Sequence, residues 1–202
     1  MFFRRMTPRR LAEREGKPIA LRWVDAAASA LRERPGGELA RAALATAFKV
    51  RDPAPAFVAR VLETLARSRA ILLESDRWFY DASEREAREL FVGEGIPPAY
   101  AIGGQGVFFT PRFEPHDPAS GRGFGPRCRA AMVLHETVHV FDERSGEDAI
   151  HVSEWDEPRF SAQTPEESLH NPSAYACLAA QIAEGRLEWP RDERYGAGRP
   201  AD

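Results

Sequence analysis

The chain has 202 residues, a 43% share of apolar side chains and a net charge of −3. That is enough for one sizeable core, and too little charge, with arginines spread rather than striped, for a nucleic-acid-binding protein. No apolar run is long enough to cross a membrane, and the basic N-terminus Met1-Phe2-Phe3-Arg4-Arg5-Met6 leads into no signal-peptide core, so we expect no membrane partner and a protein that is cytoplasmic or exported without a cleaved signal. Cys128 and Cys177 could pair, but two cysteines make neither a disulfide framework nor a C-x-x-C metal site.

Thr7-Pro8 reads as a helix start, cap followed by first-turn proline. Leu21, Val24, Ala28 and Leu31 then recur at helical steps, Pro35-Gly36-Gly37 breaks the pattern, and Glu38 to Phe48 forms another helix. No chemistry is visible before residue 50, so 1–50 is taken as an N-terminal helical segment, 51–189 as the main domain and 190–202 as a polar, disordered tail.

A stronger helix opens at Asp52-Pro53, with Val58, Val61, Leu62 and Leu65 on one face; Ile71-Leu72-Leu73 extends it or makes a short strand. Asp81 with Glu84 has capping-box spacing for the next helix, and Gly93 is its stop. The preceding Trp78-Phe79-Tyr80 reads as core. Residues 93–106 read as loop, and Gly106 to Phe113 as a strand whose Pro111 argues for a sheet edge. An edge strand ahead of the next element could pair with an extended peptide.

The chemistry is concentrated in the next helix. Pro126 suits its first turn, Ser145-Gly146 its end, and Ala131, Leu134, Val138 and Phe141 form its apolar stripe. Within it stands His135-Glu136-Thr137-Val138-His139, a His-Glu-x-x-His pattern. Histidines at i and i+4 share one helix face, so both imidazoles can reach one Zn2+ ion, with the glutamate beside the open coordination position. His135 and His139 are the first two metal candidates, and Glu136 the general base for a water acidified by zinc.

A catalytic zinc usually takes a third protein ligand. The H-x-x-G-x-x-H continuation is absent. A glutamate from the following helix would be Glu166 or Glu167, but Thr164-Pro165-Glu166-Glu167 already reads as a capping box. The nearer candidates are Asp148, His151 and Glu154, with His151 favoured because imidazole is a preferred zinc ligand. Asn171-Pro172-Ser173 starts the last helix, Tyr175, Leu178, Ala179 and Ile182 form its apolar face, and Gly185 ends it.

His135-Glu136-Thr137-Val138-His139 followed by Asn171-Pro172-Ser173-Ala174-Tyr175 resembles the aspzincin metallopeptidases, the deuterolysin and peptidyl-lysine metalloendopeptidase group with its bacterial relatives. These carry His-Glu-x-x-His, a G-T-x-x-D-x-x-Y-G segment and an Asn-Ala-Asp-x-Tyr helix opening. The likeness spans residues 126–185, less than a third of the chain, and the middle motif is absent. By spacing, the family's ligand aspartate falls nearest His151 and its oxyanion tyrosine near Glu154; a shifted register makes Asp148 the ligand and gives His151 the tyrosine's place. The resemblance implies an α+β, mostly helical, zincin-like metallopeptidase fold with a small sheet bordering the active-site cleft. It also implies hydrolysis of a protein or peptide substrate, with Tyr175 structural. Lysine specificity does not carry over. The rival expectation is a non-catalytic zincin-like domain that binds a partner or acts as an effector module.

Overall fold

The computed structural model describes residues 6–33, 37–93, 95–115, 123–141, 152–153 and 157–185. In chain order these form α1 (Pro8–Leu11), a π-helical turn (Ala12–Gly16), α2 (Lys17–Glu33), α3 (Glu38–Phe48), α4 (Pro55–Leu73), α5 (Ser75–Trp78), β1 (Phe79–Asp81), α6 (Glu84–Leu90), β2 (Ala99–Ile102), β3 (Gly106–Phe109), α7 (Pro126–His139), α8 (Glu157–Ala162), α9 (Pro165–Leu169) and α10 (Pro172–Glu184). The architecture is mostly helical with one small mixed sheet, the expected α+β class. No helix among the described residues is long and apolar enough to cross a membrane.

Helix α10 occupies the middle of the packing. Every residue from Pro172 to Ile182 is buried, not merely the expected face. A helix buried all round must be surrounded, and α2, α3 and α7 pack against it. Its small residues (Ala174, Ala176, Ala179 and Ala180) leave room for those neighbours. Gly185, left-handed at φ 67°, ends the helix as predicted. Cys128 and Cys177 are both buried and form no disulfide, so the possible pairing is not made.

The N-terminal helices share this core. Trp23, Val24, Ala27 and Leu31 of α2, and Ala43, Leu44, Ala47 and Phe48 of α3, belong to one continuous buried cluster running to Ile182 of α10. Thr7 caps α1 as predicted, and α3 spans the predicted residues. Helix α4 starts at Pro55, slightly later than Asp52-Pro53 suggests, and continues through Ile71-Leu72-Leu73 rather than yielding to a strand. The expected tail at 190–202 lies outside the described residues, whereas α7 ends at His139 with Val140 as its C-cap, several residues before the expected stop at Ser145-Gly146.

The sheet corrects two sequence expectations. Its order is β1-β3-β2, with β1 parallel and β2 antiparallel to β3. So β3 is the central strand, not an edge. It stops at Phe109, and the Thr110 hydroxyl donates to the Pro97 carbonyl at 2.7 Å, so Pro111 falls in the turn beyond the ladder and costs the sheet nothing. The edge beside α7 is instead β2, hidden in the segment read as loop. Gly106 is required at the start of β3: its φ is +147°, and a Cβ there would lie 2.6 Å from the Trp78 carbonyl oxygen.

One face of the sheet sends Phe79, Val107 and Phe109 into the main core. On the other, Tyr80, Phe108 and Tyr100 stack across all three strands, with centroids 5.3 and 5.2 Å apart. Helix α6 is capped by Ser83 with Glu86, not by Asp81 with Glu84. Asp81 ends β1 and accepts the Arg9 backbone N–H of α1 at 2.8 Å.

Candidate metal centre

Helix α7 is clamped before it reaches its histidines. Pro126 occupies its first turn. Arg127 pairs with Glu184 at the far end of α10. The buried Arg129 guanidinium donates to Glu15 of the π turn and to the Phe124 carbonyl. Burial would raise the Glu15 carboxyl, but hydrogen bonding from Arg14 and the charge of Arg129 outweigh it and hold that pKa low, so the pair stays ionised. Gly16 lies against α7 so closely that a Cβ would sit 3.0 Å from Val133 Cγ2 and 3.2 Å from the Arg129 carbonyl oxygen.

The other end of α7 carries the predicted chemistry. His135 and His139 are half-buried, and their Nε2 atoms lie 3.1 Å apart. Two ligands about 2.0–2.1 Å from a tetrahedral zinc must stand about 3.3 Å from each other. The imidazoles are therefore spaced as two corners of such a site. They also sit at the C-terminal end of the helix, where unsatisfied carbonyls favour a cation. The turn between β2 and β3 closes over this end, its Gly104 N–H donating to the Val140 carbonyl at 3.0 Å.

Glu136 keeps some solvent contact along its length, yet burial of the carboxyl pushes its pKa up to about 8. With that pKa the carboxyl keeps its proton at neutral pH in the metal-free protein; a cation bound at the imidazoles would favour the carboxylate that a general base needs.

Behind His135 stands the start of α10. Its Nδ1 is 3.2 Å from the Ser173 hydroxyl. Asn171 caps α10, its Oδ1 accepting the Ser173 N–H at 3.1 Å. The same carboxamide donates to the Val152 carbonyl at 2.8 Å and to Gln163 Oε1 at 2.9 Å. Asn171 is wholly buried, with all of these bonds internal. The sequence marked Asn171-Pro172-Ser173 as a helix start and as part of the family resemblance, with no role for Ser173. Only the spatial neighbour, more than thirty positions upstream, reveals its contact with His135 of α7. Tyr175 is a core residue: its hydroxyl donates to the Leu169 carbonyl at 2.9 Å, and its ring meets Phe48 edge-on.

The structure thus brings together His135 and His139 of one helix with Ser173 of another; Glu136 follows His135 on the same helix. His151, with its alternatives Asp148 and Glu154, lies outside the described residues, as does His116. Glu166 is engaged by Arg60 in a two-pronged ion pair, both contacts at 3.0 Å, and Glu167 completes the predicted capping box with Thr164. Their carboxylates are occupied on the surface. Among the described residues, no group of three or more His, Cys, Asp or Glu side chains could hold a metal ion. No protein-family model matches the chain, and no match was found among curated proteins.

Proposed function

We propose that this chain is a zinc-dependent metallopeptidase of zincin-like fold, related in its site plan to the aspzincins. The observation that carries the reading is the 3.1 Å separation of His135 and His139 Nε2, with Glu136 between them in sequence. The same distance also admits a hydrogen bond between the two rings, so the spacing supports the metal reading together with the His-Glu-x-x-His pattern and not alone.

His135 and His139 would hold the metal, with His151 favoured as the third ligand over Asp148 and Glu154 on ligand chemistry. Zinc, when bound, supplies a Lewis acid that acidifies the attacking water and polarises the scissile carbonyl. Glu136 takes the water's proton on its carboxylate and returns it to the departing amine. The free side of β2, not β3, offers backbone groups to an extended substrate.

The test is zinc content and peptide cleavage, measured together on wild type, His135→Ala and Glu136→Gln. Wild type and Glu136→Gln should each hold about one zinc per chain, and His135→Ala should lose it. Cleavage of a mixed peptide library should fall by about 10²–10⁴-fold in Glu136→Gln. Cleavage that persists in that variant with zinc bound overturns the mechanism. Tight zinc with no cleavage by wild type would move the chain to the other class, a non-catalytic partner-binding domain.

A further inference from the structure

We propose that Ser173 is a positioning residue for His135, and that Asn171 sets it in place. The inference rests on the metal reading above. An imidazole that ligates through Nε2 must keep its proton on Nδ1, and that N–H needs an acceptor that fixes the ring plane. The Ser173 hydroxyl is 3.2 Å from Nδ1 while Nε2 of the same ring faces His139. Ser173 is only 3% exposed, so bulk water cannot readily stand in for it.

The serine is itself immobilised. It follows a proline in the first turn of α10, where its N–H is taken by Asn171 Oδ1 at 3.1 Å. Asn171 in turn is fixed by its two donor bonds, to Val152 and Gln163. Capping α10 requires only the Asn171 oxygen and the Ser173 backbone; the Ser173 hydroxyl is not needed for it. That hydroxyl is a buried polar group directed at a histidine of another helix. It therefore sets the ring of His135 rather than the start of α10.

The experiment compares the full chain as wild type, Ser173→Ala and Ser173→Thr in three measurements. These are zinc affinity by competition with a chromophoric chelator, thermal unfolding of the metal-free protein, and the nitrogen-15 resonance of the His135 Nδ1–H in the zinc-loaded protein. Ser173→Ala should bind zinc about 10–100-fold more weakly, the range for loss of a group that orients a ligand. Its metal-free melting should stay near wild type, since alanine suits a helix. Its Nδ1–H signal should exchange faster with solvent. Ser173→Thr, which keeps the hydroxyl, should recover most of the affinity and the slow exchange. Unchanged affinity and exchange in Ser173→Ala would overturn the positioning role while leaving the metal reading intact. A lower metal-free melting temperature with unchanged zinc affinity would make the serine merely structural. A wild type that takes up no zinc would remove the metal reading, and this role with it.

Discussion

Glu136 carries a cost in the metal-free protein that its neighbours do not relieve. Its carboxyl has a pKa of about 8 in the fold against 4.5 in the unfolded chain. Below pH 4.5 both states hold the proton and the group is neutral toward stability. Between 4.5 and about 8 the unfolded chain releases its proton while the fold retains it, so stability falls as pH rises. Above that the penalty is constant. The metal-free wild type should therefore lose roughly 1 kcal/mol per pH unit at the steepest part of this window relative to Glu136→Gln. Urea midpoints of both proteins at several pH values check this, and parallel profiles would refute it. The two histidines and the glutamate were legible in the sequence because helical spacing alone joins them. Ser173 was not, because its role depends on which helix lies behind His135.

At the scale of elements, the start of α10 is the most heavily bonded junction near the site. Asn171→Ala removes a cap and leaves the Val152 carbonyl and Gln163 without their buried donor. A cap is worth about 1 kcal/mol, and each stranded buried group about 1–3 kcal/mol, so the loss should be on the order of 3 kcal/mol. Asn171→Asp keeps the capping oxygen but not the donors. Denaturant unfolding should show it well below wild type; equality with wild type would mean the donors contribute nothing. Elements misread from the sequence share a cause. Strand β2 is four residues long and lies between Pro97-Pro98 and Gly103-Gly104, so turn signals outweigh it. Asp81-x-x-Glu84 and Ser83-x-x-Glu86 have the same capping spacing, and only pairing of β1 with β3 removes Asp81 from the contest. The helices α3 and α10 and the start of α7 were legible because cap, proline and glycine signals agree with their apolar steps, whereas α7 stops at His139 without the glycine signal the sequence offered at Ser145-Gly146.

For the whole molecule, the question is what the N-terminal helices do for a site they do not supply. Helix α2 packs against both α7 and α10, and the π turn packs against α7. Trp23, Val24 and Leu31 are essentially wholly buried. At about 1.5–3 kcal/mol for each large apolar side chain, their loss alone rivals the roughly 5–15 kcal/mol stability of a typical domain. A chain lacking residues 1–33 should thus show no cooperative thermal transition by circular dichroism, whereas a sharp one would make 51–189 an independent domain. The sequence could not convey this dependence, since the N-terminal helices look amphipathic wherever they pack.

The π turn at Ala12–Gly16 has a consequence of another kind. An α-helix rotates about 100° per residue, and a π turn accommodates one residue more than the α pattern. The rod from Pro8 to Glu33 therefore carries an insertion that its ends have absorbed. Because the π turn takes up one residue more for about the same rotation, deleting one would restore regular helix with α1 near its present phase and the Arg9 N–H still beside Asp81. The stretch can thus lose a residue more easily than it can change Glu15, held by Arg129, or Gly16, pressed against α7. The phase of the first helix, and with it the tie between the N-terminus and the sheet, is kept by the π turn itself.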